Sequence, residues 1–282
     1  ENTIIGGLAG DALTTGTRNV AIGYHALGGE DAHGKNVAIG YQALKAQDAG
    51  ADAYNTAIGY SAGEAITTGT KNIFIGGFAG DSQQTASSSI GIGYRALSGV
   101  VTGGNNIAIG EDAGIAITSG VNNIILGTAA GDNLTTGSYN IAIGQGALSA
   151  EDGNGRNVAI GQSTLAVQDA GADAYNVAVG YDTGKAMTTG VRTVLVGGEA
   201  GDALTSGSDN VAVGHAALGT EDTGAKNTAM GSYALASLNF NGDGNNTAIG
   251  FNTGLSLSTG VQNTLMGGLA GDALTTGGNN VA

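Results

Sequence analysis

Five aspartates have the residue type and spacing to hold a metal ion. Asp48 and Asp52 lie in Gln47-Asp48-Ala49-Gly50-Ala51-Asp52-Ala53-Tyr54, a segment that recurs with Asp169 and Asp173. A third copy reads Asn241-Gly242-Asp243-Gly244-Asn245 at the same place. Hard oxygen donors at such spacing suit Ca²⁺. The full EF-hand and Gly-Gly-x-Gly-x-Asp patterns are missing. A solvated loop is therefore the plainer reading of Asp48, Asp52, Asp169, Asp173 and Asp243, and no other cofactor is expected.

Other chemistry-bearing residues carry less. Glu30-Asp31, Glu151-Asp152 and Glu221-Asp222 are paired carboxylates of the kind that flank a glycosidic bond in some hydrolases. Adjacent residues on an extended chain face opposite ways, however, and nothing in the sequence signals a cleft. His25, His33 and His215 stand in non-equivalent settings without a neighbouring nucleophile, which fits surface or packing roles. Gly6-Gly7-Leu8-Ala9-Gly10 opens no helix and matches neither phosphate-binding pattern. The Thr-Thr-Gly motifs, as at Thr14, Thr67, Thr135, Thr188 and Thr275, raise an ice-binding ladder, but acidic coils interrupt them. No catalytic residue emerges, and a non-enzyme is expected.

The elements that carry these residues are set by an internal repeat. The motif Asn-[Val/Thr/Ile]-Ala-[Ile/Val]-Gly recurs from Asn2 to Asn280; thirteen of its sixteen intervals define a 17-residue coil and three a 19-residue coil. The coils come in four kinds, and one full set is a 70-residue super-repeat, as from Asn2 to Asn72. The first kind begins at Asn2, Asn72, Asn123, Thr193 and Asn263. The set starting at Asn72 lacks its 19-residue coil, which an array of equivalent rungs tolerates. Each motif alternates as a strand should, and Gly punctuates every coil. The expected fold is all-β: a parallel β-solenoid, or β-roll, running as one continuous region over residues 1–282. The Asn column should form a ladder along the stack. The extra residues of the long coils should lie in turns near 46–54, 166–175 and 236–245. Glu1 leads straight into a coil and Ala282 ends inside one, so an uncapped segment of a longer fibre is expected.

Composition bounds the partners. The chain has 54 Gly, no Pro and no Cys, and 41% of its residues are hydrophobic, which argues for order rather than a flexible linker. A net charge of −14 disfavours nucleic acid and anionic membrane surfaces. No apolar run approaches the roughly 20 residues of a membrane span. An acidic, Cys-free chain suits an extracellular or virion-surface location.

The fourth motif position is always Ile, Val, Leu or Met, and we expect it to face inward, with the third, usually Ala, on the opposite face. In coils of the first kind the third position becomes Ile4, Phe74, Ile125, Leu195 or Leu265, while the sixth, often Tyr elsewhere, becomes Gly or Thr. If the third position faces out, these five form a periodic apolar interface for partner chains. The alternative is local repacking that turns the large residue inward.

Segments such as Asn36-Val37-Ala38-Ile39-Gly40-Tyr41-Gln42-Ala43-Leu44 and Asn55-Thr56-Ala57-Ile58-Gly59-Tyr60 resemble the repeats of bacteriophage tail-fibre shafts. They are also similar to the β-roll heads of trimeric autotransporter adhesins, whose coils are shorter. The resemblance spans the whole chain and implies a homotrimeric structural fibre that supports attachment to a cell surface. A glycan or protein receptor would then be gripped by other regions. A bacterial adhesin or surface filament is the alternative context, and a polysaccharide-cleaving tailspike the third. The sequence shows neither a receptor-binding tip nor a C-terminal chaperone domain.

Overall fold

A computed structural model describes residues 1–153 and 155–282. It divides into two compact units, Glu1–Tyr139 and Asn140–Ala282. Each is a parallel β-solenoid without helix among the described residues. The first unit carries eight three-residue strands, from Thr3–Ile5 to Ile124–Leu126; the second carries eight more, from Ile141–Ile143 to Thr264–Met266. Every strand covers the second to fourth positions of a motif.

Within each unit consecutive strands pair parallel with each motif position beside its equivalent, as in Val20↔Val37 and Val211↔Thr228. The register passes unchanged across the long coils: Val37 pairs with Thr56, and Val158 with Val177. The additional length is thus excluded from the strands, because a slip of one residue would turn every side chain to the wrong face. It lies in the expected turns. Asp48, Gly50, Ala51 and Asp52 are exposed, and a side chain on Gly50 or Gly171 would meet nothing within 4 Å.

The Asn column is more than a side-chain ladder. Asn72 Nδ2 donates to Ala86 O at 2.8 Å, closing its own coil, while its Oδ1 accepts the Ser89 N–H of the next coil at 2.9 Å. Asn106 repeats the pattern, donating to Gly120 O and accepting the Asn123 N–H, and Asn123 closes its own coil onto Gly137 O. One buried amide therefore satisfies two main-chain groups that have no strand partner. The fifth-position Gly is required by close approach as well as by its positive φ. At Gly93, with φ +131°, a Cβ would lie 2.5 Å from Gly110 O of the next coil.

The inside and outside of the sheet are the reverse of the sequence expectation. Ala21, Ala38, Ala57 and Ala108, at the third position, are fully buried. The fourth position faces out: Ile58, Ile109 and Met230 are 36–42% exposed. The lumen of a 17-residue coil is narrow, and Leu27, Leu44, Leu97 or Leu148 fills it from the opposite wall. Only a methyl group fits beneath the strand where such a Leu is present.

The same geometry corrects the interface series. Phe74, Ile125, Leu195 and Leu265 are buried within the chain's own core, and only Ile4, in the first coil, is substantially exposed. In these coils the residue at the ninth position, Leu in most coils of the second and third kinds, is Gly10, Gly80, Gly131, Gly201 or Gly271. A Cβ on Gly80 would meet Phe74 Cδ1 at 2.5 Å, and one on Gly201 would meet Leu195 Cδ2 at 2.9 Å. Bulk is exchanged between the third and ninth positions across the lumen. The large residue turns inward because the opposite wall has made room for it.

Candidate functional site

No pocket or cleft is present among the described residues, so the functional surface must be sought on the outside of the coils. One wall is formed by the strands themselves. Their second and fourth positions project outward and stack coil upon coil. In the first unit Ile58, Ile73, Ile75, Ile109 and Ile124 are each 36–38% exposed. Val194, Met230 and Met266 continue the motif in the second unit. Ile58, Ile73, Ile75 and Ile109 are each flanked by the equivalent residues of the coils before and after, yet open laterally.

An aromatic column borders this wall in the first unit. Tyr24 and Tyr41 stack with ring centroids 5.5 Å apart, and Tyr41 and Tyr60 at 4.9 Å. Phe78 continues the column edge-to-face with Tyr60 and Tyr94. It occupies the seventh rather than the sixth position, and Gly77 before it leaves room for the ring of Tyr94. The exchange of Tyr for Gly at the sixth position is therefore local to this outer column and unconnected with the core. Aromatic pairs of this geometry contribute about 0.5–1.5 kcal/mol beyond burial.

The five Ca²⁺ candidates do not share one environment. Asp52, Asp173 and Asp243 are each engaged by a cation of the preceding coil: Lys35 at 2.6 Å, Arg156 at 2.6 Å and Lys226 at 2.5 Å. Lys35, as hydrogen-bond donor, holds the Asp52 carboxyl below its ordinary range. Asp48 is apart from this row and lies with Glu30, Asp31 and His33 of the coil before it. Asp169, the counterpart of Asp48, is exposed. Sequence reading missed the grouping around Asp48 because it joins residues from two coils. The signal that could have found it is the repeat itself, since Asp48 lies one coil period after Asp31.

The remaining candidates have structural partners. His25 Nε2 lies 3.8 Å from Asp11, and His215 Nε2 lies 3.8 Å from Glu199. Thr14, Thr67 and Thr188 donate their hydroxyls to carbonyls of the next coil, as in Thr188 Oγ1 to Thr205 O at 3.1 Å. Glu30 and Glu221, the first members of two carboxylate pairs, are fully buried. Burial is the main force raising both carboxyls above their ordinary range.

The fold and its surfaces thus define a parallel β-solenoid repeat protein. In comparison with known proteins, no family model matches the chain and no curated protein matches it in sequence.

Proposed function

We propose that the chain is a structural shaft, a segment of a fibre in which copies of itself lie side by side and support attachment to a cell surface. A homotrimer of parallel chains in a bacteriophage tail fibre, outside the cell, is the context the repeat resemblance favours. The receptor would be engaged by other regions of the assembly. The observation that carries this reading is the outward aliphatic wall. A row of half-exposed Ile and Val that recurs at every coil is best matched by a surface with the same period. A second copy in register supplies one, and a closed ring of copies repeats the match at each interface. Burying each half-exposed aliphatic side chain would contribute roughly 1 kcal/mol, about half of what a fully exposed one gives.

Among the described residues no helix is long and apolar enough to cross a membrane, so any association through helix insertion would need other segments. The test is solution mass by light scattering at micromolar concentration, on the wild type and on a triple variant Ile58→Asp, Ile75→Asp, Ile109→Asp. The proposal expects a trimer for the wild type, and a folded chain of 27.3 kDa for the variant. A wild type that stays monomeric, or a variant that keeps its assembly, sinks it.

A further inference from the structure

Glu30 is the twelfth residue of its coil, the place where other coils bury Ile117, Leu134 or Met187. A carboxylate there must be compensated. Glu30 Oε1 accepts the backbone N–H of His33 at 2.9 Å. Its Oε2 is buried and has no hydrogen-bond partner. His33 Nδ1, 3.6 Å from Glu30 Oε1, is likewise buried without a hydrogen bond. Asp31 and Asp48 complete the group: one donor atom from each of the four residues falls within 4.8 Å of every other. Orphaned buried oxygens are rare in folded proteins and call for an explanation.

The coil beginning at Asn210 shows the same glutamate fully satisfied. Glu221 Oε1 accepts the Gly224 N–H at 2.8 Å, and Oε2 accepts the Phe240 N–H at 3.3 Å. In that coil and the next, Gly224 and Asn239 stand where His33 and Asp48 stand here. Without the imidazole and the second aspartate, the glutamate turns both oxygens to the main chain. With them, Oε2 has no hydrogen bond, and the carboxyl group lies beside the imidazole and both aspartates.

We propose that Glu30, Asp31, His33 and Asp48 form a Zn²⁺ site that clamps the coil beginning at Asn19 to the coil beginning at Asn36. One imidazole nitrogen and three carboxylate oxygens suit Zn²⁺, whereas Ca²⁺ takes oxygen donors alone. With metal–donor distances of about 2.0–2.2 Å, the donors of a tetrahedral site sit about 3.4 Å apart. The 4.8 Å group therefore closes by rotation of the exposed Asp31 and Asp48 side chains. Glu30 is fixed by the core, while the exposed Asp31 and Asp48 are free to swing and leave a path for the ion to enter. The main chain at His33 is held in place by its backbone N–H, which donates to Glu30 Oε1.

The test is titration of the full chain with ZnCl₂ by calorimetry, with thermal melts alongside and MnCl₂ followed by electron paramagnetic resonance. One Zn²⁺ per chain is expected, bound more tightly than Mn²⁺, with a rise in melting temperature that millimolar CaCl₂ does not reproduce. His33→Asn and Asp48→Asn lie outside the hydrophobic core and should fold, as circular dichroism would verify; each should weaken Zn²⁺ at least about tenfold. Glu221→Gln, and the double variant His25→Gln, His215→Gln, should bind as the wild type does. No heat and no thermal shift at millimolar Zn²⁺ would overturn the site. So would undiminished binding in both His33→Asn and Asp48→Asn, or its loss in the His25 and His215 double variant.

Discussion

The ring of Phe74 fills the space that a side chain on Gly80 would need, and the two residues face each other across the lumen of one coil. Ala21 and Leu27 make the opposite arrangement in the coil beginning at Asn19. Leu27 and Gly80 share the same backbone, with φ of 53° and 59°, so either residue type can stand at that corner. Phe74→Ala should cost about 3–5 kcal/mol through the cavity it leaves. Gly80→Leu alone should also destabilise, by overpacking. The double variant should recover much of the loss, with a coupling of about 2 kcal/mol or more in urea melts. Simple additivity would show that the two sites do not share one volume.

Asn72 gives a second test, of the coil-closing amide. Asn72→Ala removes the partners of Ala86 O and the Ser89 N–H at once, both inside the stack. Each unsatisfied group costs about 1–3 kcal/mol, so the variant should lose about 2–6 kcal/mol. Asn72→Asp can still accept from Ser89 but cannot donate to Ala86, and should fall no closer than midway to the wild type. A loss for Asn72→Ala smaller than the net worth of one ordinary hydrogen bond, about 0.5 kcal/mol at its low end, would mean that water replaces the amide.

The long coils should shorten without harm. Gly171 lies in an exposed turn where an added side chain would touch nothing, and the strands on either side remain in register. Deleting Gly171 and Ala172 together should change unfolding free energy by no more than about 1 kcal/mol, the scale of a small loop-length change. Cooperative unfolding should persist in the melt. A large loss would place the extra residues in the core.

Mild acid should stabilise the protein. Asp81, Asp132, Asp202 and Glu221 are held above their ordinary carboxyl values, with burial the largest cause in each. Such a group binds more protons folded than unfolded between the two values, so stability falls as pH rises from the unfolded value through the folded one. Asp52 and Asp209 act oppositely, since Lys35 and Arg192 hold them low. Their contribution is present above the unfolded value of about 3.8 and is lost only below it. Relief of repulsion at a net charge of −14 adds to the first effect. In low salt with EDTA, the melting temperature should fall as pH rises from about 4.5, the ordinary glutamate value, through the raised values of these groups; a flat or opposite trend there contradicts this balance.

The sequence by itself determined the coil period, the strand within each motif and the in-register parallel stack. These follow from local rules: alternation over Val20-Ala21-Ile22, the Gly that ends it, and an Asn at a constant interval. It also placed the extra residues of the long coils outside the strands, because register tolerates no other place. Which face of the strand is the inner one was decided only by the tertiary structure. Alternation defines two faces and says nothing of lumen width. Hydrophobicity favoured Ile22 as the inward residue, but the Leu27 wall leaves room beneath the strand only for Ala21. The pairing of Phe74 with Gly80 follows from the same limit on volume, which is a property of the closed coil and of no single segment. Likewise Asp48 reaches Glu30 and His33 only when two coils stack, so that a core carboxylate of one rung meets a turn residue of the next.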